Sequence, residues 1–455
     1  MKTVKRIFFG CLLIGMASCD KMIETDMPNN QIGTEQVFED AQTAYSALSG
    51  LYNNLRSNSL VSGNSAGMGA LLGSYADDLD CYYTALNGHK DISTNQQLPT
   101  NTVIETVWKN AYLQIYAANA IIMGAQNSAS LADTDRRQIM GEAMVIRSMI
   151  YLDLQRIFDS IPYTATIDYE HNRQLSKLDG TQIIALLEMD LLSAVSMLGD
   201  TYRDPQRIYP NRQVAELLLV HVYMLQNKYA EAEQAALGII SSPLYQFETD
   251  INEVFHNSGA HILWQVPPQY SGDATQEASF YYFEDGPPSA YALTDGLVST
   301  FTPDDLRRTL WISEVNVGGQ LWYRPNKYKN LSGSNTNEYS IVFRLEEVYL
   351  LLAEAMAMQD KLSEALPYLN ATRIRAGLAE VVPTTRETLV QEILAEKRRE
   401  FFTEQGIRYT DLKRTGNLSA LENVKPYWSA YKSNWPLPQN ELLLNPNLAP
   451  QNEGY

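Results

Sequence analysis

The chain has 455 residues, of which 45% are apolar, with a formal net charge of −18 and three cysteines. That length and apolar share provide a sizeable core, in two or three ordinary domains or in one large helical domain with an insertion. The acidic balance excludes nucleic acid as a partner, because nothing here would neutralise phosphates, and with one cysteine beyond residue 19, Cys81, no intramolecular disulfide framework is available.

Residues 1 to 19 read MKTVKRIFFGCLLIGMASC. Lys2, Lys5 and Arg6 precede an apolar stretch too short to span a bilayer, followed by small residues and a cysteine. This is the layout of a cleaved lipoprotein signal over residues 1 to 18, with Cys19 as the acylated first residue. An ordinary secretory signal cut after Ala17 or Ser18 is the alternative, and Met16 is an unusual residue three places before the cysteine. Either reading puts the chain outside the cytoplasm, and only acylation tethers it to a membrane. Residues 19 to 33 then read as a lipidated tether, because residues 20 to 31 are polar and aperiodic. No second apolar run long enough to cross a membrane is expected.

A single folded domain is expected over residues 34 to 455. Thr34 is read as the cap of a helix carrying Phe38, Ala41, Tyr45, Leu48 and Tyr52 on one stripe and ending near Asn53. Residues 57 to 103, rich in Gly, Ser, Asn and Asp, read as a long loop. Helical spacing returns with Val107, Trp108, Ala111, Ile115 and Ala118, then over residues 137 to 158, a stretch so apolar that it belongs in a core. Shorter helices are expected over residues 180 to 198, 212 to 226 and 230 to 240. Residues 241 to 340 interrupt the helices with seven prolines, aromatic clusters and strand-like runs such as residues 262 to 266. Helices resume over residues 343 to 357, 362 to 374 and 389 to 402, and an irregular tail runs to Tyr455.

One internal echo orders this pattern. Gln226-Asn227-Lys228-Tyr229-Ala230-Glu231-Ala232 recurs as Gln359-Asp360-Lys361-Leu362-Ser363-Glu364-Ala365, each flanked by apolar helices. A polar turn followed by a small Ala232 or Ala365 is what two closely approaching helices of a tetratricopeptide-type repeat require. The expected fold class is therefore mainly all-α, with helix-pair repeats and a large irregular loop-rich region.

Several segments resemble the SusD/RagB family of nutrient-binding outer-membrane lipoproteins, and they fall in that family's order. Glu142-Ala143 with Arg147 and Tyr151 is similar to its G-E-A-x-x-x-R-A-x-x-Y helix, with Ser148 in place of Ala. Arg344, Glu347, Tyr349 and Ala353-Glu354-Ala355 resemble R-x-x-E-x-Y-L-x-x-A-E-A. Glu396, Arg398 and Glu400-Phe401, then Gly406, Arg408, Asp411-Leu412 and Arg414, resemble E-x-R-x-E-F and G-x-R-x-x-D-L-x-R. The ending, from Trp435-Pro436-Leu437-Pro438 through Glu441, Asn445-Pro446-Asn447-Leu448 and Gln451-Asn452 to Gly454-Tyr455, reproduces the family's closing pattern with Leu437 for the usual Ile. The resemblance implies a non-catalytic body without cofactor, lipid-anchored at Cys19 to the outer membrane and facing the cell exterior. It also implies a partner, a SusC-like TonB-dependent transporter for which the protein acts as lid, and an oligosaccharide ligand. The alternatives are a peptide ligand, as for RagB-like relatives, or a tetratricopeptide scaffold that grips other proteins.

A sugar binder needs aromatic faces beside amides and carboxylates, and two loop regions offer that mixture. Asp77, Asp78, Asp80, Tyr82, Tyr83 and Asn87 form one. Tyr281, Tyr282, Glu284, Asp285, Tyr291, Trp322 and Tyr323 form the other. The candidate ligand contacts are Asp80, Tyr82, Tyr83, Asn87, Tyr281, Tyr282, Tyr291 and Trp322, whereas Trp108, Trp264 and Trp435 read as structural. Gly63-Asn64-Ser65-Ala66-Gly67 matches G-x-S-x-G, but no strand precedes it to form a nucleophile elbow, so no catalytic residue is assigned. His89, His171, His221, His256 and His261 show no metal-ligand spacing, and Asp77, Asp78 and Asp80 lack the glycine and closing glutamate of a calcium loop, so no metal is assigned. The run Lys397-Arg398-Arg399 between Glu396 and Glu400 reads as a solvated, ion-paired helix face, and Arg147, Arg344 and Glu346 as buried ion pairs between helices.

Overall fold

The computed structural model describes residues 34 to 84 and 87 to 455; the signal, Cys19 and the tether lie outside the described residues. The elements in chain order begin with α1 (Thr34–Val37), α2 (Ala41–Asn58), α3 (Met68–Tyr75), β1 (Leu79–Cys81), α4 (Gly88–Ser93), α5 (Thr102–Asn127), α6 (Asp133–Phe158) and α7 (Tyr169–Asn172). They continue with α8 (Gly180–Met197), α9 (Arg212–Leu225), α10 (Tyr229–Ile240), β2 (Ile262–Val266), α11 (Gln276–Phe280), β3 (Tyr291–Leu293), α12 (Asp295–Val298), α13 (Leu306–Leu310), β4 (Ile312–Val317) and β5 (Gln320–Pro325). The chain ends with β6 (Ser340–Arg344), α14 (Leu345–Met358), α15 (Leu362–Arg375), α16 (Arg386–Phe401), α17 (Ile407–Arg414) and α18 (Gln439–Leu444).

The long helices stack in sequence: α5 on α6, α6 on α8, α8 on α9, α9 on α10, α10 on α14, α14 on α15, with α16 also against α14. The 104 residues between α10 and α14 do not interrupt this array, because β2 pairs antiparallel with β6, from Ile262 opposite Arg344 to Val266 opposite Ser340, and so returns the chain to the place it left. Helix α8 is apolar and long enough, by length and composition, to cross a membrane, contrary to the expectation of no second such run. Its Ile183, Ile184, Leu187 and Leu191 are buried in the array, while Met189 and Leu192 are exposed.

The internal echo has a shared geometry. Asn227 and Asp360 sit at the turn between paired helices with φ of 58° and 61°, and the following lysine amides donate to Tyr223 O and Met356 O. Asn and Asp tolerate that left-handed conformation better than other non-glycine residues. In the first unit Gln226 Nε2 and Lys228 Nζ both reach Glu188 on α8, at 2.9 and 2.7 Å. In the second, Gln359 Nε2 and Lys361 Nζ both reach Glu233 on α10, each at 2.6 Å. The Gln-x-Lys spacing thus clasps a glutamate of the preceding repeat, and the fully buried Ala232 and Ala365 set the close approach behind it.

Four expectations need correction. The first predicted helix is two, because Asp40 caps α2 by accepting from Gln42 N (2.8 Å) and Thr43 N (3.3 Å) and so ends the preceding turn. The predicted loop of residues 57 to 103 holds α3, β1 and α4; α3 is buried on nearly all sides, so its sequence shows no amphipathic period. The tail after residue 402 contains α17. Finally, the Lys397-Arg398-Arg399 face is largely buried: Glu396 and Glu400 are fully enclosed and Lys397 is 3% exposed. Their partners are distant in sequence. Arg307 from the excursion bonds Glu396 (2.6 Å), Glu400 (3.0 Å) and its neighbour Asp305 (2.9 Å). Arg344 and Arg375 meet Glu400 and Glu346, and Arg398 holds Asp78 at 2.8 Å. Charges buried in this way are paired and hydrogen-bonded, and they tie the excursion to α14, α15 and α16.

The closing segment docks on α6. Trp435 N donates to Ile157 O (2.9 Å), and Asn452 Nδ2 to Phe158 O (2.9 Å) and Trp435 O (2.7 Å). These supply donors to carbonyls in the last turn of α6, where the helix itself provides too few. Gln451 bonds both ways with the Leu437 backbone, which folds the tail back on itself.

Candidate ligand-binding site

The two loop regions singled out in the sequence meet in one sheet of order β1-β3-β5-β4. Asp80 lies opposite Ala292, Leu293 opposite Tyr323, and Tyr82 N donates to Ala290 O at 2.8 Å, extending the ladder past β1. The base of β1 is fixed by charge: Asp77 is held by Arg398 and Arg408, each at 2.9 Å, and Asp78 by Arg398. Those two aspartates are therefore committed to structure. In β1, Leu79 and Cys81 are buried and Asp80 is exposed, as the period of two dictates.

Asp80, Tyr82 and Tyr83 form one wall of a cleft of about 560 Å³. Lys90, Ser93 and Thr94, at α4, line it further, and residues 424 to 427 close the far side. Tyr82 is 37% exposed and Tyr427 54%. Tyr83 is half-buried, its ring centroid 5.2 Å from that of His89. Asp80 accepts no hydrogen bond from any described residue; partial desolvation by the cleft walls pushes its carboxyl up, against the pull of Lys425 and Lys90. Lys425 Nζ donates to Ser74 O (2.6 Å) and Ser93 O (2.9 Å), joining the ends of α3 and α4, and burial brings its ammonium down to about 8. Ser93 and Thr94 hydroxyls each donate to Lys90 O at 2.9 Å, leaving lone pairs free. The cleft can thus accept hydrogen bonds at Asp80 and offer tyrosine faces for stacking.

The other predicted residues divide. Asn87 caps α4, its Oδ1 accepting from His89 N at 2.9 Å. Tyr282 is 40% exposed, with the Arg324 guanidinium 4.6 Å from its ring centroid and its hydroxyl bonded to Glu284. Tyr281 and Tyr291 are 4% and 1% exposed in the core of the excursion, and Trp322 is 8% exposed in a small cluster with Phe283, Ala292 and Val315. That burial corrects their reading as ligand contacts. Tyr281 and Tyr291 pack with Leu79 and Cys81 behind the sheet, whereas Trp322 clusters with Ala292, which pairs with Asp80, and so is packed on the Asp80 face. Sequence reasoning missed Val424, Lys425 and Tyr427, which come from an aperiodic tail and carried no signal beyond an exposed aromatic.

The G-x-S-x-G match is a matter of packing. A Cβ at Gly63 would lie 2.1 Å from Glu277 Cδ, and one at Gly67 would lie 1.7 Å from Ser62 O, while Ser65 sits in a turn with no strand before it. Among the described residues no group of three or more His, Cys, Asp or Glu side chains is arranged to hold a metal.

A tetratricopeptide-type helical body carrying a sheet-and-loop excursion, with a tyrosine-lined polar cleft where the excursion meets the tail, is the class that fold and site define. A family model described as "SusD family" matches residues 314 to 455, and one described as "Starch-binding associating with outer membrane" matches residues 34 to 224. SusD-like protein P25 of Formosa agariphila is 23% identical over 535 aligned positions that cover all of both chains. A SusD superfamily protein of Bacteroides vulgatus superposes with a TM-score of 0.78 at 20% identity, over 92% of this chain and 100% of that one. A structure described as a laminarin-binding SusD-like protein superposes with a TM-score of 0.77 at 20% identity, over 91% and 99%. This chain is thus similar to SusD-like proteins in both its N-terminal and its C-terminal parts.

Proposed function

We propose that this protein is a non-catalytic, lipid-anchored nutrient-binding protein of the outer membrane that captures oligosaccharides in the Asp80, Tyr82 and Tyr427 cleft. The observation that carries the reading is the unpartnered Asp80 carboxylate beside two solvent-facing tyrosine rings. A carboxylate with free lone pairs accepts from vicinal hydroxyls, and the rings take the apolar face of a sugar. The family description of starch binding and outer-membrane association, and the laminarin-binding neighbour, support a glycan as the ligand class. In this account Cys19 carries the acyl anchor, residues 19 to 33 form the tether, and residues 34 to 455 form one ligand-binding domain facing the cell exterior. The captured glycan passes to a SusC-like TonB-dependent transporter over which the protein acts as lid, the tether keeping its effective concentration at the pore high. The test is calorimetric titration of the purified protein with neutral glycan pools and with peptide pools, together with capture of a barrel from detergent-solubilised membranes. Binding of peptides without glycans, or the absence of a barrel, overturns the reading.

A further inference from the structure

The far side of the cleft is tied down by one side chain. Residues 422 to 427 run between the buried Leu421 and Trp428, and apart from Lys425 each of them is exposed. Among the described residues, Lys425 is also the one member of that run whose side chain forms a hydrogen bond. Its Nζ donates to Ser74 O in the last turn of α3, at 2.6 Å, and to Ser93 O at the end of α4, at 2.9 Å. Neither carbonyl accepts from a described backbone amide, since a helix leaves its final carbonyls unpaired, and a lysine there is a favourable partner. Lys90 Nζ donates in turn to Cys81 O at 2.7 Å and joins α4 to β1. At the far end of the run, Tyr427 O accepts from Lys432 Nζ. The Val424 to Tyr427 wall thus meets the rest of the cleft lining through Lys425.

We infer that Lys425 is the positioning residue of this cleft, a latch that holds the Val424 to Tyr427 wall against the ends of α3 and α4 and whose release opens the cleft. The inference rests on the proposed function for the ligand that enters, and on the geometry alone for the latch. Lys425 forms no ion pair with any described residue, so the two carbonyls hold it. Asp77, Asp78 and Asp80 and the Cys81 thiol favour its charge from the β1 side, and Lys90 lines the cleft from α4. Burial outweighs the acidic groups and brings the latched ammonium down to about 8. When the latch opens, the side chain returns to water and to its ordinary value of about 10.4. Between those two values the closed state binds fewer protons than the open one, so closure strengthens as pH rises. The gain from pH 7 to pH 9 is about tenfold. A neutral amine still has two N–H groups, enough for both carbonyls.

Amide hydrogen exchange on the purified protein tests the latch without any glycan. The reporters are Val424 N and Lys425 N, which donate to Leu421 O, and Trp428 N, which donates to Lys425 O. After correction for the intrinsic rise of exchange with pH, opening at these amides falls about tenfold between pH 7 and pH 9 in the native protein. Lys425→Arg, which can reach both carbonyls and stays charged, keeps the protection of pH 7 and shows no such fall. Lys425→Met raises opening by about tenfold or more at both pH values. Calorimetry with neutral glycans reads the consequence: affinity is about tenfold weaker in Lys425→Met and recovered in Lys425→Arg. Unchanged protection in Lys425→Met, an equal pH gain in Lys425→Arg, or opening that grows with pH overturns the inference. If Lys425→Met fails to fold, the pH profiles of the native protein and Lys425→Arg decide. Absence of glycan binding by the native protein counts against the proposed function, while the exchange data still judge the latch.

Discussion

Replacing Glu400 with Gln keeps the shape of the side chain and removes the charge on which three arginines converge. Glu400 is fully enclosed; Arg307 lies at 3.0 Å and Arg344 at 2.5 Å from its carboxylate oxygens, and Arg375 bonds it as well. Burial alone would push its carboxyl up, but Arg375, Arg344 and Arg307 outweigh that and hold it well below the usual carboxylate range. Removing one partner from a buried pair costs about 3 to 5 kcal/mol, because the remaining charges are left uncompensated. For a chain of this size the unfolding entropy is roughly 0.9 kcal/mol per kelvin, so Glu400→Gln lowers Tm by about 3 to 6 °C. The control is Arg386→Gln at the pair Arg386 and Asp360, whose side chains are 43% and 72% exposed and 3.5 Å apart; it costs about 0 to 1 kcal/mol. The sign with pH also follows. A carboxyl held low in the folded state stabilises above its unfolded value of about 4.3, so the deficit of Glu400→Gln is full at pH 7 and shrinks as pH falls below that value. Scanning calorimetry at pH 7 and pH 4 reads both effects. A loss no larger than that of Arg386→Gln refutes the placement of this charge network in the interior.

At the other end of the scale, Asp153→Asn gains stability relative to the native protein as pH rises. Burial pushes the Asp153 carboxyl up to about 7 despite Arg156 at 3.5 Å, so its ionisation cost begins near the unfolded value of about 4 and is complete above 7; melting curves from pH 4 to 8 check this. Gly63→Ala overpacks against Glu277 and costs about 1 to 3 kcal/mol in chemical denaturation, while Ser65→Ala changes stability little. Lys361→Met, which leaves Glu233 with Gln359 alone, costs about 0.5 to 1 kcal/mol by thermal melting, because the lysine side chain is 37% exposed. Asp80→Asn weakens glycan affinity by about tenfold in calorimetry, since it removes the charged acceptor that faces the cleft.

The helical array was legible because its signals are local. The apolar spacing of α5, α6, α8, α9 and α10 and the Gln-x-Lys echo follow from sequence neighbours within one or two turns. Elements that hold their charges or caps through distant partners were not legible. The face of Arg398 and Glu400 looks solvated until Asp78 and Arg307 are seen to pack on it, and α3 shows no period because its neighbours surround it. Asp80 and Tyr82 emerge on the cleft as expected from the composition of their loop. Tyr291 does not, because which side of a strand faces water is set by the sheet's pairing and not by residue type; Tyr281 follows α11 into the core of the excursion, and Trp322 is covered by Phe283 and Val315 on the Asp80 face. Tyr427 lies 345 residues from Tyr82, and only the fold brings them to one cleft.

Isothermal titration of the purified protein and its Tyr82→Ala variant with laminarin and a panel of other neutral oligosaccharides tests the central claim most directly. The account predicts saturable binding of at least one glycan and an affinity at least about tenfold weaker in the variant, as loss of a stacking ring implies. Glycan binding that Tyr82→Ala leaves unchanged, or binding of peptides and no glycan, contradicts it.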